Sequence, residues 1–233
     1  MTDLLAGARV DEAVWEKFPE YVAAVALVTN LVPGPSSVHS EQLLRQAEMT
    51  AREWLATQDT PDLPEVAQWR QAYAAFGVKP RQARSSVEAL IRRADAGLPR
   101  IDRLTDTYNA ISVLRRTPIG GENARAYRGS PQLVVADGSE VFETVREGEP
   151  VEEIIPAGEI VWKDDVGVTC RRWNWRQCVR TRLDEQTTEA VFIVDALGSD
   201  AVNGAAAVLD DVITQLSVDS PNMRFEKLVL HRP

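Results

Sequence analysis

C-R-R-W-N-W-R-Q-C-V-R-T-R, residues 170–182, holds five arginines, two of the six tryptophans and both cysteines, with no acidic residue. The whole chain of 233 residues carries a formal net charge of −9, so this local +5 needs a physical reason. Trp and Arg are the side chains that stack, fork onto anions and anchor interfaces. If the stretch is an extended strand, alternation puts Arg172, Asn174 and Arg176 on one face and Trp173 and Trp175 on the other. The tryptophans then enter a core. The Arg/Asn row either faces a ligand or pairs with nearby acids, and the residues alone leave both readings open.

Charge is unevenly spread around this stretch. From Trp69 to Arg116 ten Lys/Arg stand against four Asp/Glu, a balance of +6. With the +5 of residues 170–182, the remaining chain carries −20. An acidic protein is a poor non-specific nucleic-acid binder, because phosphate neutralisation dominates that affinity. A concentrated basic face on an acidic body can still select a specific polyanion. Apolar residues make up 44% and charged residues 26%, as in globular proteins generally. The longest apolar run, Tyr21–Val28, is too short to cross a bilayer. The start M-T-D-L-L-A-G-A-R-V-D-E lacks the pattern of a signal peptide. Cys170 and Cys178 give neither a disulfide framework nor a C-x-x-C pair, and His39 and His231 stand far apart. The expectation is a cytoplasmic protein with no metal, no cofactor and no membrane contact.

The periodicities point to one α+β domain with its helices mostly in the first half. Val10–Glu20 reads as a short helix or lead-in loop. Tyr21–Leu31 reads as a strand covered on both faces and ended by Pro33-Gly34-Pro35. Ser36-Ser37 caps a helix over about 40–55. Glu65–Phe76 is a second helix ending at Gly77, and 86–96 a third, started by Ser85 or Ser86 with Glu88 as a capping-box partner. Arg103–Arg115 is a fourth, stopped by Pro118 and a Gly120-Gly121 turn. Short β-prone runs follow at 133–136, 141–145, 160–162 and 190–197, with Asp137-Gly138 as a hairpin signal between the first two. A helix over 204–216 and a strand over 225–230 close the chain.

No nucleophile elbow, P-loop or dinucleotide fingerprint is present. Three constellations could carry chemistry. In K-P-R-Q-A-R-S-S-V-E (79–88), basic side chains precede a helix start whose free N–H groups favour an anion. In D-T-Y-N (106–109), Asp and Asn sit mid-helix, where their side chains compete for backbone groups. That marks either a structural network or a ligand contact. The third is D-D-V-G-V-T-C-R-R-W-N-W-R (164–176).

These segments resemble a known family. L-I-R-R-A-D-A-G-L-P-R-I-D-R-L-T-D-T-Y-N-A-I-S-V-L-R-R-T-P-I-G-G-E-N (90–123) looks like part of the B3/B4 editing domain of the phenylalanyl-tRNA synthetase beta subunit. More closely, the chain is similar to free-standing members of that family through W-R-x-A-Y-x-x-F-G (69–77), S-x-E-x-L (86–90), L-P-x-I (98–101), D-x-Y-N (106–109), P-I-G-G (118–121) and C-R-R-W-N-W-R (170–176). The likeness covers about residues 10–200 of a single domain spanning 1–233, with the C-terminal helix and strand (204–230) packed on it. It implies an α+β domain with a β-sandwich-like core flanked by helices. It also implies that tRNA or aminoacyl-tRNA is the partner. Where the synthetase carries its pocket His in P-x-H-A-F-D, this chain has Gly120, so a mechanism through that imidazole does not carry over. Asp106 and Asn109 match the D-x-x-N pair. The synthetase's aminoacylation machinery has no counterpart in the sequence.

The resemblance implies deacylation of misacylated tRNA in trans, a hydrolase activity without ligation. Arg84, Ser85, Ser86, Glu88, Asp106, Asn109, Gly120, Gly121 and Asn174 are the candidates for the substrate pocket. Lys79, Arg81, Arg171, Arg172 and Arg176 are the candidates for RNA contact. No catalytic side chain is assigned. The alternative is a non-catalytic binding module for tRNA or a small amino-acid-like ligand. A third reading is a different hydrolase or a protein-interaction domain.

Overall fold

The run V-A-A-V-A-L-V is buried at every position, with Thr29 at its end half-buried. A segment with no polar face must be covered on both sides, and it forms a central strand. The computed structural model describes residues 3–233. Met1 and Thr2, the start of the segment read as lacking a signal peptide, lie outside the described residues. In chain order the elements are α1 (Asp3–Ala6), β1 (Arg9–Val10), α2 (Glu12–Lys17), β2 (Val22–Thr29), α3 (Val38–Leu55), α4 (Pro64–Ala75), α5 (Ser86–Ile91) and α6 (Arg103–Arg115). There follow β3 (Ile119–Asn123), β4 (Gln132–Val135), β5 (Val141–Arg146), β6 (Glu149–Ile154), β7 (Ile160–Lys163), β8 (Val168–Arg171), β9 (Arg176–Gln177), β10 (Ala190–Ala196), α7 (Ala201–Asp219) and β11 (Arg224–Leu230).

Two sheets form the core of this α+β fold. An antiparallel sheet runs β11-β2-β10-β3, and a five-stranded sheet runs β1-β4-β7-β8-β9. On one face of the first sheet, Ala23, Val25, Leu27, Val191 and Ile193 pack against Leu133, Ile160, Trp162 and Cys170 of the second. This is the β-sandwich-like contact. On the opposite face Ala24, Val28, Phe192 and Val194 meet Leu104, Tyr108 and Ile111 of α6 and Leu209 and Val212 of α7. The period of two in the strands thus sorts one run of apolar residues into two cores. Helices α3, α5 and α6 build a third through Leu44, Ala47, Val87, Ile91, Ala110 and Val113.

The helix starts follow their capping residues. The Ser37 hydroxyl accepts from Ser40 N at 2.9 Å, and Asp102 accepts from Leu104 N and Thr105 N at 3.0 and 2.8 Å. Helix α5 is shorter than its periodicity implied. It ends at Ile91, and the chain turns through to Gly97, whose φ of 96° suits glycine.

Two turn signals lead elsewhere than expected. Asp137-Gly138 does not close a hairpin, because β4 pairs with β1 and β7 while β5 pairs with β6 in a separate ribbon. The Glu140 carboxylate accepts from Asp137 N and Gly138 N at 3.1 and 3.2 Å and holds the crossing between the two sheets. Gly120-Gly121 is the middle of β3 rather than a turn. Glycine is needed there for close approach: a Cβ on Gly121 would lie 2.7 Å from Tyr108 and 2.9 Å from Leu183.

Candidate functional site

The W-N-W segment is a reverse turn, which corrects the extended reading of residues 171–176. β8 ends at Arg171, β9 begins at Arg176, and Arg172 and Trp173 both take left-handed backbone, with φ of 46° and 67°. Local packing overrides strand alternation here. The Trp173 ring is fully buried and meets Phe18 and Tyr21 edge-on at 4.8 Å and Trp69 at 5.2 Å. Burying such a ring is worth several kcal/mol, enough to hold two residues at positive φ, which costs about 1–3 kcal/mol each.

The arginines around the turn divide. Arg171 points inward and is bound at both ends by Glu159, at 2.9 Å each, with Glu153 at 2.6 Å. Burial works against its charge, but the two carboxylates outweigh it and raise its pKa. Arg172 lies over the Trp175 ring at 4.4 Å and donates to the Gln82 carbonyl at 3.1 Å. Arg176 alone is exposed, at the edge of a cavity. The expected Arg172/Asn174/Arg176 row therefore does not exist as one face.

That cavity has a volume of about 120 Å³, room for a group the size of an amino-acid side chain. Apolar walls come from Tyr108, Ile119, Trp162, Trp173, Trp175 and Ile193. Its polar lining is Ser86, Asn109, Glu122, Asn174, Gln177 and Asp195. The structure thus brings Ser86, Asn109, Gly120, Asn174 and Arg176 together from four separate segments. Gly120 turns its bare Cα to the cavity, where an added Cβ would meet only the Gln177 amide, at 3.4 Å.

The other expected residues lie around the cavity without lining it. Gly121 faces Tyr108 on the helix side of β3. Asp106 is fully buried, accepting from the Ser36 hydroxyl at 2.5 Å and Ile101 N at 2.8 Å, and so pins the loop before α6. Burial nonetheless keeps its pKa raised. Glu88 is buried among Arg70, Arg84 and Arg92 at 2.5, 3.5 and 3.0 Å. Ser85 spends its hydroxyl on Glu88 N. The start of α5 is not open to an anion, because Ser86 N donates to the Asn174 carbonyl at 3.1 Å. This bond and the Arg172–Gln82 bond fasten the W-N-W turn to the basic loop. Lys79 and Arg81 on that loop are exposed, and neither they nor Arg176 form an ion pair among the described residues.

Two carboxylates central to the cavity were missed in the sequence. Asp195, on β10, accepts from the Tyr21 hydroxyl at 2.6 Å, Trp162 Nε1 at 3.3 Å and Asn174 Nδ2 at 3.3 Å. Burial pushes its pKa up to about 6 against the pull of those donors. Glu122, on β3, accepts from the Tyr127 hydroxyl at 2.6 Å, and burial pushes it up to about 7. The β3–β10 register pairs Glu122 with Val191 and Gly120 with Ile193, so the two acids share one face of the sheet. Asp195 had a visible signal, a charge inside the apolar strand V-F-I-V-D-A. Glu122 was hidden in a segment read as a turn.

Two buried donors in the lining lack partners. Ser86 Oγ has no hydrogen bond. Trp173 Nε1 comes near enough to Asp195 to favour the ionised carboxylate, yet makes no hydrogen bond of good geometry. Cys170 also lines the cavity, and burial pushes its thiol pKa well up, which disfavours the nucleophilic thiolate. His39 bonds Gln215 at 3.0 Å, away from the cavity. No group of three His, Cys, Asp or Glu among the described residues could hold a metal ion. No helix among them is long and apolar enough to cross a membrane.

The model of the B3/4 domain matches residues 68–229, which takes in every segment lining this cavity and continues through α7 and most of β11. The chain belongs to the B3/4 domain family. Among solved structures it is similar to an N-terminal fragment of the phenylalanyl-tRNA synthetase beta subunit from Pyrococcus horikoshii, with a TM-score of 0.45 and 13% identity. That likeness covers 96% of this chain and 50% of the other, so this chain spans about half its length. No curated protein matches.

Proposed function

We propose that this protein takes the aminoacyl end of a misacylated tRNA into the cavity and hydrolyses the ester in trans. The observation that carries the reading is the meeting of Ser86, Asn109, Gly120 and Asn174, from the segments of family likeness, around one amino-acid-sized volume. The exposed Lys79 and Arg81 on the adjoining loop, and Arg176 at the edge, supply positive charge for the phosphates of the acceptor end.

The chemistry follows from what the lining contains. Neither a histidine nor an activated thiol reaches the cavity, so water is the nucleophile. Attack on the ester carbonyl generates an oxyanion, for which the Ser86 hydroxyl and the Trp173 N–H are donors without a present partner, and the Asn109 amide lines the same space. The ribose oxygen leaves with the proton, and a neighbouring ribose hydroxyl can relay it. Rate enhancement rests on orientation and oxyanion stabilisation.

The test is release of amino acid from a panel of misacylated tRNAs by the purified protein. Turnover on at least one member is expected. Saturable tRNA binding without turnover on any member would favour the binding module, a reading supported by the absence of an imidazole from the cavity lining.

A further inference from the structure

Five glutamates are buried among the described residues: Glu48, Glu88, Glu122, Glu140 and Glu159. Four of them have a cation within reach. Glu48 meets Arg100, Glu88 meets three arginines, Glu140 meets Lys163 at 3.9 Å, and Glu159 meets Arg171 at 2.9 Å. Glu122 has none among the described residues. A buried carboxylate without a cation is costly, and proteins ordinarily avoid it.

The cavity's other acid differs from Glu122. Both oxygens of Asp195 already accept hydrogen bonds, Oδ1 from Tyr21 and Trp162 and Oδ2 from Asn174. Glu122 accepts one hydrogen bond of good geometry, at Oε2 from Tyr127, with only the neutral hydroxyls of Thr181 and Thr169 beside it. Trp162, Trp173, Trp175 and Tyr108 also line the space, and the face of an aromatic ring attracts a cation. The unpartnered N–H of the fully buried Trp173 lines the same space and marks it as built for a polar ligand. The only cationic side chain in the lining is Arg176, which is exposed. The cavity is therefore arranged for a positive group inside and a negative or carbonyl group toward its edge.

We infer that Glu122 is a specificity-determining residue that binds the free α-ammonium group of the ligand through its carboxylate, which lines the cavity without a cation. This rests on the reading that the cavity takes an aminoacyl group and adds to it. N-blocked aminoacyl groups bind more weakly, because an amide nitrogen carries no charge to compensate the carboxylate. An ammonium–carboxylate contact in such a site is worth about tenfold or more in affinity.

The test needs no tRNA and no turnover. Trp162, Trp173 and Trp175 line the cavity, so intrinsic fluorescence can report its occupancy. The probes are phenylalanine, tyrosine and leucine amides, each beside its N-acetyl counterpart, titrated near neutral pH. The free amines should bind about tenfold or more tightly than the N-acetyl forms. Glu122→Gln should bring each pair to within about twofold, and Glu122→Asp should keep part of the preference. Equal binding of blocked and free amines by the wild-type protein would overturn the inference, as would an unchanged preference in Glu122→Gln or no binding of any amide. A preference for free amines in a protein that fails to deacylate tRNA would leave this inference standing and remove only the catalytic reading.

Discussion

Replacing Glu122 by glutamine should stabilise the protein, and only at neutral to alkaline pH. The side chain is 2% exposed and burial raises its pKa from 4.5 to about 7. The folded state therefore holds a proton over a range in which the unfolded chain has released it. Stability falls as pH rises from the unfolded to the folded value and is level above that. At about 1.4 kcal/mol per tenfold change in proton affinity, the full cost is ~3 kcal/mol. Glutamine has the same shape, can accept from the Tyr127 hydroxyl and does not ionise. Tyr127, Thr169, Thr181 and Asp164 face Glu122 and are unchanged in the variant. Asp195, raised to about 6, adds a slope of the same sign to both proteins and cancels in their difference. Urea unfolding of the two proteins at about pH 4.5 and pH 8 measures that difference, which should grow from near zero to ~2–3 kcal/mol in favour of the variant. An equal difference at both pH values would refute the claim that Glu122 is buried without a compensating cation.

Further outcomes follow from the packing. Gly121→Ala should destabilise the fold by ~1–3 kcal/mol, because the new methyl group overlaps Tyr108 and Leu183. Gly120→Ala should leave the unfolding midpoint nearly unchanged, since its methyl group enters open cavity; thermal unfolding of the two variants separates the roles of adjacent glycines. Arg171→Met should cost ~1–3 kcal/mol in urea unfolding, because buried Glu159 loses its two-pronged partner and keeps only Arg172 at 3.5 Å, while Glu153 keeps Arg146 at 2.8 Å. Lys79→Ala combined with Arg81→Ala should weaken tRNA binding across sequences and lower the slope of log affinity against log salt by about two, without a change in stability.

Much of the fold was legible because it rests on local signals. The strand at 22–29, the serine-capped helix after Ser37 and the helix from Arg103 to Arg115 follow from apolar period and caps. The errors fall where distant packing overrides local preference. Trp173 tolerates positive φ because Phe18, Tyr21 and Trp69 enclose it, and those contacts have no trace in the segment itself. Gly120-Gly121 reads as a turn from composition, yet its meaning is the close approach of Tyr108 and an open cavity wall. That error concealed Glu122, two residues on. The arginines of residues 170–182 also show the limit: composition gives their charge, but only the fold shows Arg171 paired with two glutamates and Arg176 exposed.

The most direct measurement compares the wild-type protein with Gly120→Val in release of amino acid from misacylated tRNA. Valine at this strand position fills the cavity and leaves Glu122, Asp195 and the basic loop in place, and tRNA binding by both proteins serves as the control. The account predicts turnover by the wild-type protein on at least one misacylated tRNA, and loss of turnover with retained tRNA binding in Gly120→Val. Equal rates in the two proteins, or no release by the wild-type protein from any tRNA in the panel, would contradict it.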